Sequence, residues 1–242
     1  MLRTDLSDEV ITSRIKEFLE QHPEGYDKDT KKALIKSALW GRRTSSTVSE
    51  LDEIYNYLQL DQKDNNIYQA FSDMIISRFD INRPIYEIGG GHLPTVGKIL
   101  SLKQNQGTVT IYDPKLLITK TDIPNLKLVR KEFTGNEIVE SNALMIGYKH
   151  CDATMPMMKY IAKNDLDFMI ALCNCAHGFL EIMDEDDINL WYQSCEWPVY
   201  IKYAEEERHK KPGQEIRRVK RLSMEKYGNY CPVIYNSTET KY

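Results

Sequence analysis

Long apolar runs are missing from this chain: no stretch of its 242 residues approaches the roughly 18 that a membrane span requires. Glycine and proline are sparse, at 12 and 9, which excludes collagen-like and disordered, low-complexity architectures. The 5 cysteines are scattered and odd in number, the usage of reduced thiols in an intracellular protein rather than of a disulfide framework. The opening "MLRTDLSDEV" has no apolar core of the kind a secretory leader carries, so the expectation is a soluble, cytoplasmic protein. A large excess of one charge sign is also lacking, since 32 basic and 36 acidic residues leave a formal charge of −4. Adhesion to nucleic acid through bulk charge alone is therefore excluded, although a local basic face is not. No internal repeat is visible, and the length suits one α/β domain with a modest extension.

What the chain does have is periodicity that changes character near residue 80. Before that point, apolar residues in "EVITSRIKEFLEQ", "KKALIKSALW" and "LDEIYNYLQL…YQAFSDMIISRF" recur at three- and four-residue steps, which predicts helices. Thr47 and Glu50 stand at capping-box spacing and mark a helix start, with "GRRTSSTVSE" reading as a loop or hinge. Beyond residue 84, short apolar runs alternate with helical ones. The strands are "PIYEIG", "GTVTIYD", "LKLVRKEF", "ALMIGY", "LDFMIALC", "PVYIKY" and "CPVIYN", and the helices "TVGKILSLK", "MPMMKYIAK" and "DEDDINLWYQSC". Such alternation predicts βαβ units and a mostly parallel sheet, with an antiparallel option for the last strand. The division expected is a helical cap over residues 1–80 and an α/β domain over 81–242.

The stretch "YEIGGGHLPTVGKIL" ends the first strand in three glycines and opens a helix. In an open α/β sheet this first turn is where backbone approaches a ligand most closely. Gly89 and Gly91 fit G-x-G, but Pro94 occupies the place where a dinucleotide site needs Gly or Ala. Read with Asp113 and Glu132, that proline argues against a pyrophosphate-binding helix start and for a nucleoside ligand without phosphates. Acids flank the turn: Glu87 before it, Asp113 at the end of "TVTIYD", and Glu132 with Phe133 at the end of "LVRKEF". Taken alone, Asp113 begins a turn with Pro114 and Glu132 is a surface acid.

An acid followed by G-x-G, with a second strand ending in an acid, resembles the class I S-adenosylmethionine-dependent methyltransferases over roughly residues 84 to 235. The resemblance implies a Rossmann-like methyltransferase fold, with a mostly parallel seven-stranded sheet and an N-terminal helical extension, and S-adenosylmethionine as cofactor. It implies that Gly89, Gly90 and Gly91 approach the methionine moiety and that Glu87 holds its ammonium. Asp113 then takes the ribose hydroxyls, with Glu132 and Phe133 beside the adenine.

Two later segments carry a narrower resemblance. "YKHCDATMP" and "ALCNCAHG" resemble eukaryotic tRNA 2′-O-methyltransferases of the acceptor stem, through Lys149, His150, Cys151, Ala153 and Thr154, then Ala171, Leu172, Cys173 and His177. Asp152 stands near an expected glycine, and Asn174 separates the cysteines. "PVYIKY" followed by "RLSMEKYG" resembles the end of the Lys-Asp-Lys-Glu 2′-O-methyltransferases. That resemblance implies Lys202, Asp152 and Glu225 around a ribose hydroxyl, with His150 among the catalytic residues and RNA as the favoured acceptor. On the residues alone, Lys202 is a snorkelling strand lysine, and the run "AEEERHKKPGQEIRRVKR" is a solvated loop. Cys173, Cys175 and His177 share a face if their strand continues, but no fourth ligand stands at zinc spacing, and no metal is expected. A small-molecule methyltransferase, a nicotianamine-synthase-like aminobutyryl transferase and a non-catalytic scaffold remain the alternatives.

Overall fold

The computed structural model describes residues 7–39, 48–58, 67–150, 153–172, 220–223 and 232–236. Four helices come first: α1 (Asp8–Gln21), α2 (Lys28–Leu39), α3 (Val48–Tyr57) and α4 (Ile67–Ile76). Ser7 caps α1 through its side-chain oxygen, and the Asp27 carboxylate caps α2 by accepting from the Asp29 and Thr30 N–H groups at 2.9 and 2.8 Å. Val48–Glu50 at the end of "GRRTSSTVSE" is helical rather than loop, and Thr47 lies outside the described residues. Ile11, Ile15, Phe18 and Leu19 form one buried stripe of α1, which packs with Leu34 of α2 and Ile54 of α3. Leu93 and Ile118 of the α/β portion complete that cluster, so the first three helices are seated on the strand-end loops rather than standing apart.

Seven described strands form one sheet: β1 (Ile85–Ile88), β2 (Val109–Tyr112), β3 (Leu126–Val129), β4 (Leu144–Tyr148), β5 (Asp167–Ala171), β6 (Lys220–Ser223) and β7 (Pro232–Asn236). Their order is β3-β2-β1-β4-β5-β7-β6. The first five in that order are mutually parallel, and β7 runs antiparallel to both β5 and β6. Six strands therefore share one direction, and the sheet is mostly parallel and seven-stranded, as expected from the sequence. Helices α5 (Thr95–Lys103) and α6 (Thr154–Asn164) fall where "TVGKILSLK" and "MPMMKYIAK" place them. Pro94 stands just outside α5, at its N-cap.

Alternation along the strands divides the core. Ile85, Val109, Ile111, Ile146 and Met169 face α4 and α5, while Tyr86, Ile88, Met145, Phe168 and Ile170 face α6. Two strand assignments need correction. β3 stops at Val129, short of Glu132 and Phe133, because the Lys131 N–H turns back onto the Val129 carbonyl at 2.8 Å. Part of the charged run from Ala204 to Arg221 is the start of β6, and its basic residues sit on the outermost strand, where unpaired edge groups are commonly protected by charge. "PVYIKY" and "DEDDINLWYQSC" lie outside the described residues. Among the described residues, no helix is long and apolar enough to cross a membrane.

Phe71 of α4 is fully buried against the sheet, with its ring 5.5 Å from that of Tyr148 at the end of β4. Replacing it with Ala should cost about 3–5 kcal/mol, measured by urea unfolding. A loss near 1 kcal/mol would show that α4 is not part of the sheet's core.

Candidate functional site

The parallel strands β3, β2, β1 and β4 end side by side, and the segments that leave them enclose a cleft of about 600 Å³. Gly89, Gly90 and Gly91 form its floor after β1. Gly89 and Gly91 have φ of +70° and +74°, a region that side chains disfavour. A Cβ on Gly89 would collide with His150, whereas one on Gly91 would meet nothing within 4 Å. The first glycine is thus needed for packing, and the last leaves backbone bare to the cleft.

Asp113 connects that turn to the next. One carboxylate oxygen accepts from the Gly91 N–H at 2.8 Å, and the other from the Lys115 N–H at 2.6 Å. Its side chain begins a turn, as its sequence position beside Pro114 suggests, and also borders the cleft. A carboxylate has about four lone-pair sites, so two accepted bonds leave capacity for a ligand's hydroxyls.

Glu87 is 2 % exposed on the sheet face shared with Ile85, and its register partners are Ile111 and Ile146. One carboxyl oxygen accepts from the Gly97 N–H at 2.8 Å, which caps the start of α5 where Pro94 makes no side-chain cap bond. Burial pushes the Glu87 carboxyl up to about 8; the Gly97 bond opposes this, and Asp113 adds to it. Burial thus favours the protonated form at neutral pH, and a cation entering the cleft would favour the charged one.

Glu132 is exposed and Phe133 is 1 % exposed, both on the loop after β3, and both border the cleft. The Phe133 ring is held edge-on between Tyr112 at 5.7 Å and Tyr160 at 5.5 Å. Glu137 stabilises the loop by accepting from the Thr134 and Gly135 N–H groups at 3.1 and 2.9 Å.

His150, after β4, borders the same cleft and is 7 % exposed. Of the residues expected to be catalytic, it alone is described; Asp152, Lys202 and Glu225 lie outside the described residues, as do Cys173, Cys175 and His177. The cleft also has a wall absent from the sequence reading. Glu53 of α3 and Tyr68 of α4 reach it, and Glu53 lies 3.3 Å from Nδ1 of His92. The Glu53 carboxylate raises the His92 pKa above its ordinary value. Nothing in the helical periodicity distinguishes Glu53 from any other polar-face acid, which is why it was missed. Among the described residues no group of three His, Cys, Asp or Glu side chains is placed to hold a metal ion.

No protein-family model and no curated protein matches the chain. Among solved structures, the chain is similar to the 23S rRNA methyltransferase ErmE at 10% identity, over 73% of this chain and 70% of that one, with a TM-score of 0.43. It is similar to a Methanococcus maripaludis protein inferred to be an S-adenosyl-L-methionine-dependent methyltransferase at 16% identity, over 80% and 93%, with a TM-score of 0.45. Human N-acetylserotonin methyltransferase, in complex with SAM, is similar at 12% identity over 94% and 67%, with a TM-score of 0.43. All three lie below a TM-score of 0.5, and no residue of the cleft takes its role from them.

The buried Glu87 gives the site a pH signature. Between its ordinary value of 4.5 and about 8, the folded chain keeps a proton that the unfolded chain has released. Stability must therefore fall as pH rises through this window and level off above it. Glu87→Gln should remove this component and be more stable than the wild type at pH 8, with the gap closing toward pH 5. Parallel pH profiles in chemical denaturation would contradict the assignment.

Proposed function

We propose that the chain is an S-adenosylmethionine-dependent methyltransferase, with RNA as its favoured acceptor. The observation that carries the cofactor reading is that Glu87, Gly89–Gly91, Asp113 and Phe133, from three successive strand ends, border one cleft. The residues fit the group in kind. Phe133 offers an apolar ring to a heteroaromatic base, and Asp113 offers carboxylate oxygens to a vicinal diol. The bare Gly89–Gly91 backbone admits the chain that follows, and Glu87 is an acid that a cation would ionise. When bound, the cofactor supplies a sulfonium methyl group for nucleophilic attack. This chain's part is to position that group and exclude water, and positioning alone accounts for several powers of ten in rate.

In this reading residues 1–80 form a cap over the 81–242 domain, with Glu53 and Tyr68 at its inner face. RNA is favoured by the Lys149–His150 segment after β4, by Lys202 and Glu225, and by the basic cluster that ends in β6. One observation favours a compact acceptor instead: the cleft is walled by α3 and α4 as well as by the sheet. Labelled-methyl transfer to cell extracts separates these readings. The RNA reading expects a product lost on nuclease treatment, and a nuclease-resistant, low-mass product would favour the small molecule.

Asp113→Ala removes both the diol acceptor and the link to Gly91, and should weaken S-adenosylhomocysteine binding by roughly 1–3 kcal/mol in calorimetry. Unchanged affinity would show that the second strand end does not hold the ribose.

A further inference from the structure

Helix α3 is seated on the two turns that the Asp113 carboxylate joins. Ile54 of α3 is fully buried in one cluster with Leu93, which follows His92 in the glycine turn, and with Ile118, in the segment that Asp113 opens. The two seats are themselves tied, since the Leu117 N–H donates to the His92 carbonyl at 2.9 Å. Beside Ile54, Glu53 borders the cleft: its Oε2 is buried, accepts no hydrogen bond and lies 3.3 Å from Nδ1 of His92. A buried carboxylate oxygen is costly unless a charge meets it, and the protonated His92 ring is the cation placed there. At the C-terminal end of the helix, the Lys98 ammonium of α5 donates to the Tyr57 carbonyl and lies 4.1 Å from the centre of the Tyr57 ring. The helix dipole favours a cation at that end.

A helix of 10 residues is marginal in isolation, so α3 keeps its place through such contacts. The Glu53 and His92 side chains stay 32 % and 42 % exposed, which puts the pair at the rim of the cleft rather than in its floor. A nucleoside with its ribose at Asp113 is bordered there by residues of the cap. We propose that α3 is a lid over the nucleoside portion of the ligand, held shut by the Glu53–His92 pair and by Lys98, and that the pair makes ligand release depend on pH. This rests on the cofactor reading above and gives the helical cap a part in it. The charged groups that face His92 are Glu53 from α3, and Asp113 and Lys115 from the segment after β2. Glu53 holds the His92 pKa above its ordinary 6.5; burial and Lys115 oppose this, and Asp113 adds to it. With the lid lifted the ring loses Glu53, so the shut form binds the proton more tightly. The pair therefore has its full strength below pH 6.5 while Glu53 stays ionised, and loses it as pH rises through the raised value.

Glu53→Gln keeps the shape of the side chain and removes its charge. Dissociation of S-adenosylhomocysteine and of 5′-methylthioadenosine, a nucleoside without the amino-acid end, is timed by surface plasmon resonance on the full chain. The variant should release both ligands about two- to fivefold faster than the wild type at about pH 6, with the gap closing toward about pH 8. Glu87, which titrates up to about 8 in the same cleft, is common to both chains, so the comparison isolates the pair. His92→Gln should behave alike, and the double variant should be no faster than either single one, because all three lack the same pair. Release from Glu53→Gln at the wild-type rate, a gap that does not change with pH, or additive effects in the double variant would overturn the proposal and leave the cofactor reading standing. A wild-type chain that binds neither ligand would overturn both. In the wild type, the amides of residues 48–57 should exchange more slowly with 5′-methylthioadenosine bound; unchanged exchange would also overturn the lid.

Discussion

One carboxylate joins the two turns on which the cleft depends. Asp113 receives the Gly91 N–H from the turn after β1 and the Lys115 N–H from its own. Hydrogen bonds to a charged acceptor are roughly twice as strong as neutral ones, so this clasp fixes a glycine turn that would otherwise be loose. The sheet brings the two turns together, since the Gly89 N–H donates to the Tyr112 carbonyl at 2.8 Å and extends the β1–β2 pairing into the glycine turn. Loop, strand end and acid thus form one unit, and the cleft's floor is set before any ligand arrives.

The rest of the site is built from groups that the fold would be more stable without. Glu87 is a carboxyl among isoleucines, and His150 is an imidazole with two unpaired nitrogens. Each costs free energy in the free protein, and the cost at Glu87 falls if a ligand brings a cation. The two penalties lie on β1 and just after the adjacent β4, at the end where the glycines bare the backbone. Phe133 and Asp113, toward the other end of the cleft, are packed between two tyrosine rings and bonded to two backbone N–H groups. That asymmetry gives the cleft a direction: an aromatic and acidic end held by its own contacts, and a polar end with unpaired groups.

Much of this was legible in the sequence, for definite reasons. The β1, β2, β4 and β5 runs are largely apolar stretches bounded by Gly, Pro or Asn, the mark of strands buried on both faces, and α5 follows from its period and from Pro94. The acids stood out because they interrupt or end those runs. Less legible were features decided by tertiary position. β3 ends early because the backbone turns back at Lys131, and the charge of Arg130 and Lys131 carries no signal of where pairing stops. β6 looked like a solvated charge run because an edge strand is protected by that composition. Glu53, Tyr68 and the burial of His150 depend on contacts between distant segments. The sequence singled out His150 as a residue type and offered no way to see that its ring lacks partners.

The central claim is that four neighbouring strand ends form a single site for a nucleoside bearing an amino-acid end. Amide hydrogen exchange on the full chain, with and without S-adenosylhomocysteine, tests it most directly. The account predicts ligand-dependent protection at 89–92, 113–117, 131–135 and 147–150 together, with little change in α1 and α2. Protection confined to one of these segments, or none at saturating ligand, would contradict it.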